Sequence, residues 1–322
     1  MYLLVRLFFL LLFCSFSLLL QKPSAALAQF NGCAPGFCGS YAGAVAGTCA
    51  TMGYQGAGDI IGGAAIGVSL QAWTQALCGT KVANVCVSGV CADMFSSTSN
   101  GTLVSQNING TVCPAASTSS CQIATWYNQP SGTACTGPCD MVTPGGANRP
   151  VLTTNCPSPL AVCVISTDSG TATYLHAAGN ITLTPPYTIV GVTNYVAGGT
   201  YAQYYFGVFG GGYLQHGGVA SNTIVSCNGG TTATGYTGVT DGTWYSQLGI
   251  CGSASTYNLY VDGSPQTAVA WTPSTIPGVP FVTYVYTSGS EAMYSTEIGF
   301  WNSDVTSSAA ALTLNQRSRF GF

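Results

Sequence analysis

Tyr257-Asn258-Leu259-Tyr260-Val261-Asp262-Gly263 is the stretch from which the fold is read. Tyr257, Leu259 and Val261 recur at every second position, the period of a strand with one buried face. Asp262-Gly263 then supplies the residue types that accept the left-handed backbone of a tight hairpin. Residues 160–165, 187–196, 202–209, 222–227, 243–250, 279–286 and 294–301 have the same character: short, β-branched or aromatic, and bounded by Gly, Ser, Pro or Asp. Eight such strands in about 160 residues, with no helix between them, call for an all-β sandwich or barrel.

Ahead of these strands the pattern changes. Asp59 reads as an N-cap, and Ile61, Ala64, Ala65, Val68, Ala72 and Leu77 fall near helical spacing before Cys78-Gly79, so the sequence predicts one N-terminal helix over 60–77. Behind the strands, Val305, Ala309, Leu312 and Leu314 follow Asp304 and precede Arg317 and Arg319, which predicts a short closing helix. Residues 1–28 read as an export signal: a positive start to Arg6, an apolar run over 7–20, and Ala26-Leu27-Ala28 as a small-x-small cleavage site. The alternative is an uncleaved anchor, because the apolar run approaches the roughly 18 residues that span a bilayer. Residues 29–57 are a Gly/Ala-rich linker carrying a Cys33–Cys38 loop, and 58–322 form the sandwich domain.

Signal removal leaves fourteen of the fifteen cysteines, an even number bound for an oxidising compartment, secreted, periplasmic or at the cell surface. Cys33 and Cys38, Cys86 and Cys91, Cys113 and Cys121, Cys135 and Cys139, and Cys156 and Cys163 lie close enough for local staples, and Cys227 and Cys251 are further disulfide candidates. Spacing alone does not fix the pairing. No metal is expected, since His176 and His216 have no ligand spacing to Cys135-x-x-x-Cys139.

Lys81, Arg149, Arg317 and Arg319 stand against nine acids in the mature chain, a net of −5, so no basic face is available for nucleic acid. The acids sit mostly where turns and caps want them: Asp168 before Ser-Gly, Asp241 and Asp262 before Gly, Asp59 and Asp304 at helix starts. Glu291 and Glu297 are the only glutamates. They share strand parity, but six extended residues separate them by about 20 Å, against about 5–10 Å for paired glycosidase carboxylates. No Gly-x-Ser-x-Gly elbow occurs, and Gly210-Gly211-Gly212 precedes neither a helix nor Lys-Ser/Thr, so neither an acyl-transfer nucleophile nor a phosphate loop is expected. No cofactor is implied.

Gly242-Thr243-Trp244-Tyr245 followed by Leu259-Tyr260-Val261-Asp262-Gly263 resembles the concanavalin-like and laminin-G-like jelly rolls. Cys121-Gln122-Ile123-Ala124-Thr125-Trp126-Tyr127-Asn128-Gln129 is similar to the Cys-x-Ile-x-x-x-Tyr-Asp-Gln-Ser-Gly segment of the catalytic domain of α-L-arabinofuranosidase B. Ser69-Leu70-Gln71-Ala72-Trp73 and Asn148-Arg149-Pro150 extend the likeness over about residues 58–322. The resemblance implies a jelly-roll β-sandwich that hydrolyses terminal arabinofuranosyl groups with a glutamate nucleophile and an aspartate acid. Glycine of Gly210-Gly211-Gly212 falls where that nucleophile belongs, Thr287-Ser288-Gly289-Ser290 where the acid belongs, and Asn128 replaces the aspartate of Tyr-Asp-Gln. The fold carries over and the chemistry does not, which leaves Glu297 as the one candidate acid if the chain is an arabinofuranosidase.

Carbohydrate binding needs only aromatic faces for sugar C–H groups and a few aimed amides or hydroxyls. Tyr201, Gln203, Tyr205, Phe209, Tyr213, Trp244 and Tyr245 can supply such a surface, with Asn128 and Gln129 as amide candidates. Alternation favours Gln203 and Tyr205 over Tyr204 and Phe206, because Ala202, Tyr204, Phe206 and Val208 form the more apolar face. The expected function is therefore binding of a glycan or a surface, with no membrane partner after signal cleavage. Arabinofuranosidase activity and a purely structural surface role are the alternatives.

Overall fold

The structure is a computed structural model. It describes Cys49 and residues 53–322, except 115–120, 131–134, 146, 168–170, 197–202, 210, 218–222, 228–231, 237, 254–255, 271 and 286–291. The side chains of 203–205, 215–217, 223–226, 232–236 and 269 are also outside the description. The expected signal, most of the linker and the Cys33–Cys38 loop lie outside it too.

The Asp262-Gly263 hairpin forms as its residue types dictate. Asp262 and Gly263 take φ of 51° and 77°, and Val261 pairs with Ser264 across the turn. The eight expected strands are present as Cys163–Thr167, Tyr187–Val196, Gln203–Val208, Thr223–Ser226, Trp244–Cys251, Thr256–Val261, Pro280–Val285 and Ala292–Trp301.

Two antiparallel layers result. In the first, Thr256–Val261, Trp244–Cys251, Tyr187–Val196 and Ala292–Trp301 are successive neighbours. Ile66–Ser69 and Cys163–Thr167 flank the two halves of the last strand. The second layer runs Val90–Phe95, Lys81–Val87, Gln122–Trp126, Met141–Val142, Thr173–Ala177, Pro280–Val285, Gln203–Val208 and Gly212–Gly217. Val151–Thr153 pairs with strands of both layers and joins them at one edge, completing an all-β jelly-roll sandwich.

The two layers interdigitate. Tyr187, Ile189, Tyr195, Ile298 and Phe300 from one meet Leu175, Phe206, Leu214 and Val282 from the other in a single core. A Cβ on Gly191 would lie 2.3 Å from Cζ of Phe206, so only glycine lets the layers close there. The far side of the first layer is also buried: Val190, Leu248 and Trp301 pack with Trp73, Val305, Ala309 and Leu312. Coverage on both faces explains why the Tyr187–Val196 and Trp244–Cys251 strands are buried along nearly their whole length, polar Thr193, Asn194, Ser246 and Gln247 included.

The helix expected over 60–77 is not formed. Ala57–Ile60 makes a single turn, Ile66–Ser69 is a strand paired with residues Glu297 to Phe300, and Gln75–Leu77 is one 3-10 turn. Gly62-Gly63, with Gly63 at φ 72°, interrupts any helix, and β-branched Ile66 and Val68 find backbone partners on the open edge of the Ala292–Trp301 strand. A fully buried strand satisfies the same apolar positions that mimic helical spacing. The closing helix forms as Ala309–Phe320, ended by Gly321 at φ 80°. Asp304 Oδ1 accepts the Thr306 N–H at 2.8 Å at its approach.

Disulfides join Cys86 to Cys91, Cys113 to Cys121, Cys135 to Cys139, Cys156 to Cys163, Cys227 to Cys251, and Cys49 to Cys78. No helix among the described residues is long and apolar enough to cross a membrane.

Candidate functional site

Glu297 occupies the outward side of the first layer, beneath the closing helix. Alternation puts Ile298 and Phe300 into the core and turns Glu297 away from it. Arg319 Nη2 donates to both of its carboxylate oxygens at 2.8 Å, and Gln316 Nε2 donates to Oε1 at 2.9 Å. Glu297 is fully buried. Burial acts to lower the Arg319 pKa, but attraction to Glu297 prevails and holds it above its ordinary value. Tyr54, pushed up to about 12 mainly by burial, completes the cluster and donates its hydroxyl proton to Ala72 O. Glu297 is thus a fully buried clasp between sheet and helix, its carboxylate held by three hydrogen bonds.

Two amide candidates hold loops together. Gln129 Oε1 accepts the Trp73 N–H at 2.7 Å, while its Nε2 donates to Ser69 O at 2.8 Å and Gln71 O at 3.1 Å. Asn128 Oδ1 accepts the Gly67 N–H at 2.9 Å, and its Nδ2 donates to Pro130 O. Trp244, expected on a surface, is buried instead: its ring packs with Leu160 and Val192, and Nε1 donates to Pro157 O at 2.9 Å. Tyr245 is buried too, its hydroxyl accepting the Thr240 N–H. Both aromatics serve packing because the first layer is covered on both sides.

The outward side of the second layer is different. In Thr173–Ala177, Thr173, Leu175 and Ala177 are buried, while Tyr174 and His176 are half-buried on the opposite side. Tyr174 lies 4.9 Å from Tyr284, 5.9 Å edge-on from Phe209 and 6.1 Å from His176, centroid to centroid. Phe209, 37% exposed, stacks at 4.2 Å on buried Phe281. Burial lowers the His176 pKa, so its ring is neutral near pH 7.

A bulge builds this cluster. Leu175 pairs with Val282 and Thr173 with Val285, so the Pro280–Val285 strand carries an extra residue, and the register against Gln203–Val208 shifts at the same level. Thr283 takes φ 55°, a conformation that a β-branched residue rarely adopts, and the next residue, Tyr284, emerges beside Tyr174. Strain of about 1–3 kcal/mol of this kind is characteristic of functional sites. Tyr205 is opposite Tyr284 in backbone register, Gln203 opposite Gly217, and half-buried Tyr213 opposite Gly207. The side chains of Gln203 and Tyr205 lie outside the described residues, as do Tyr201, Asp168 and Glu291.

Most of the described carboxylates have structural partners elsewhere, and Asp241 is exposed in a turn. Asp59 accepts Gly56 and Gln75 N–H groups, Asp140 the Asn128 N–H, Asp262 the Ser246 N–H, and Asp93 bonds to Lys81, Asn84 and Tyr127. Among the described residues no group of three His, Cys, Asp or Glu side chains is arranged to hold a metal ion. Sequence reasoning missed Tyr174, His176 and Tyr284. The first two were legible in the alternation of Thr173-Tyr174-Leu175-His176-Ala177, whereas the bulge that exposes Tyr284 has no signature of its own.

No protein-family model matches the sequence, nor does any curated protein. Solved structures do match in fold. A glycoside hydrolase family 54 α-L-arabinofuranosidase soaked with a cyclic sulfate inhibitor superposes with a TM-score of 0.59 at 12% identity, over 83% of this chain and 66% of that one. An arabinofuranosidase complexed with arabinofuranosyl-α-1,2-xylobiose gives 0.59 and 12%, over 83% and 65%. A glutamate-to-glutamine mutant soaked with 4-nitrophenyl α-L-arabinofuranoside gives 0.60 and 13%, over 83% and 66%. The chain therefore spans slightly under two-thirds of these proteins and resembles, in its all-β sandwich, the arabinofuranosidase catalytic domain.

Proposed function

We propose that this chain is a secreted or surface-exposed carbohydrate-binding module on an arabinofuranosidase-like sandwich, with the Tyr174–Phe209–Tyr284 face as its binding surface and without glycosidase chemistry. The observation that carries the reading is the bulge at Thr283, where a strained backbone presents an aromatic side chain on an outward sheet face instead of burying it. Aromatic rings of this kind stack on the C–H faces of sugars, and neutral His176 adds a ring nitrogen that donates or accepts. Six disulfides suit an oxidising, extracytoplasmic location.

Hydrolysis of arabinofuranosides is the second reading, favoured by the fold likeness. The engagement of Glu297 by Arg319 and Gln316, on the other layer from the aromatic face, counts against Glu297 as its acid. Incubating the oxidised protein with a chromogenic α-L-arabinofuranoside separates the two. Binding without chemistry predicts no release of arabinose from wild type or from Glu297→Gln, and turnover by folded wild type restores the enzyme.

A further inference from the structure

The aromatic cluster is one end of a longer surface. Pairing carries a single outward row across the second layer: Asp93 opposite Asn84, Asn84 opposite Thr125, Thr125 opposite Val142, Val142 opposite His176, and His176 opposite Phe281. Residues opposite one another in an antiparallel pair share a face. Four inter-strand steps of about 4.8 Å therefore put Asp93 about 19 Å from His176 on the same side of the sheet.

At the Asp93 end lies a partly exposed polar cluster. Lys81 Nζ approaches Asp93 Oδ2 at 2.5 Å, and Tyr127 Oη and Asn84 Nδ2 donate to Oδ1 at 2.7 and 2.8 Å. The Lys81 ammonium also lies 5.8 Å from the centre of the Tyr127 ring. The Lys81 side chain is 53% exposed and that of Asp93 23%. An ammonium has three donors and a carboxylate about four acceptor positions, so both groups keep capacity for hydroxyls arriving from solvent.

We infer that this face binds an extended, uncharged oligosaccharide laid across the strands, with one sugar on Tyr174 and Tyr284 and a later sugar hydrogen-bonded by Asp93 and Lys81. The inference rests on the glycan-binding reading and adds the chain length, the orientation and a second subsite. Neutrality of the ligand follows from the surface. Lys81 and Asp93 cancel, the intervening row of Asn84, Thr125 and Val142 is uncharged, burial disfavours a charged His176, and the Asp140 carboxylate, whose charge reaches Tyr127, turns away anions. A polyanion would meet Asp93, and a polycation would meet Lys81.

Calorimetric titration of the oxidised, secreted protein with two unbranched ladders, xylo-oligosaccharides and arabino-oligosaccharides from disaccharide to hexasaccharide, tests it. In the ladder that binds, affinity should rise at least tenfold with length. Tyr284→Ala should weaken every member, whereas Asp93→Ala should return the hexasaccharide to the disaccharide's affinity and leave the disaccharide unchanged. Unaltered near-ultraviolet dichroism of both variants establishes that they fold. Equal affinity along the ladder, or a hexasaccharide indifferent to Asp93→Ala, overturns the second subsite while the glycan reading stands. Tighter binding of oligogalacturonate than of the neutral ladders overturns the neutral ligand. No binding of any ladder by folded wild type overturns the subsite and the glycan reading together.

Discussion

Arg319 spans both oxygens of Glu297 from a single nitrogen, Nη2, at 2.8 Å to each, and so ties the last turn of the C-terminal helix to the middle of a sheet strand. The pair is nearly inaccessible, with side-chain exposures of 7% and 1%. Removing one partner of such a pair strands the other charge, at a typical cost of about 3–5 kcal/mol. Arg319→Ala should lower the unfolding free energy by that amount in urea titrations. A loss below about 1 kcal/mol, the scale of exposed ion pairs, would show that the clasp does not hold the helix.

Gly191 and Phe206 set the closest approach of the two layers. Gly191→Ala forces a methyl into the Phe206 ring and should destabilise by about 1–3 kcal/mol. Gly62→Ala is the control, because no atom lies within 4 Å of the added Cβ. Equal unfolding midpoints for the two variants would contradict the packing described.

The disulfides differ in the length of chain that they close. Cys227 and Cys251 are separated by 24 positions, Cys135 and Cys139 by 4. On the loop-entropy scale, replacing the first pair by serines should cost about 1.5 kcal/mol more than replacing the second. Thermal unfolding of the two double variants reads the difference directly.

Acid stability should report on Asp93. Burial acts to raise its pKa, but the bonds from Lys81, Tyr127 and Asn84 prevail and hold it below the ordinary 3.8. A depressed carboxylate contributes stability that is complete above the ordinary value and disappears as pH falls through the lower, folded-state value. Asp93→Asn should therefore flatten the fall in stability below about pH 4. An acid limb identical to that of wild type would mean that the cluster carries no linked stability.

Eight strands after residue 160 were legible because each carries its own period and its own turn residues, as Tyr257 to Gly263 does, whereas strands such as Thr173–Ala177 and Gly212–Gly217 were not. The segment over 60–77 was not, because Ile66 and Val68 become a strand only where the edge of Ala292–Trp301 accepts their backbone. Neither Trp244 nor Glu297 betrays in sequence that a helix more than sixty positions later in one case, and about twenty in the other, will cover it. The functional face was half-legible: Phe209 and Tyr213 were identified among the aromatics of a candidate binding surface, but the position of Tyr284 depends on a bulge that only the three-strand register defines.

The central claim is that the Tyr174–Tyr284 face binds a glycan, and affinity electrophoresis through a gel containing arabinoxylan tests it most directly. Wild type should migrate more slowly in that gel than in a polysaccharide-free gel, and the folded Tyr174→Ala/Tyr284→Ala variant should lose the retardation. Retardation that survives the double substitution would contradict the assignment of this face.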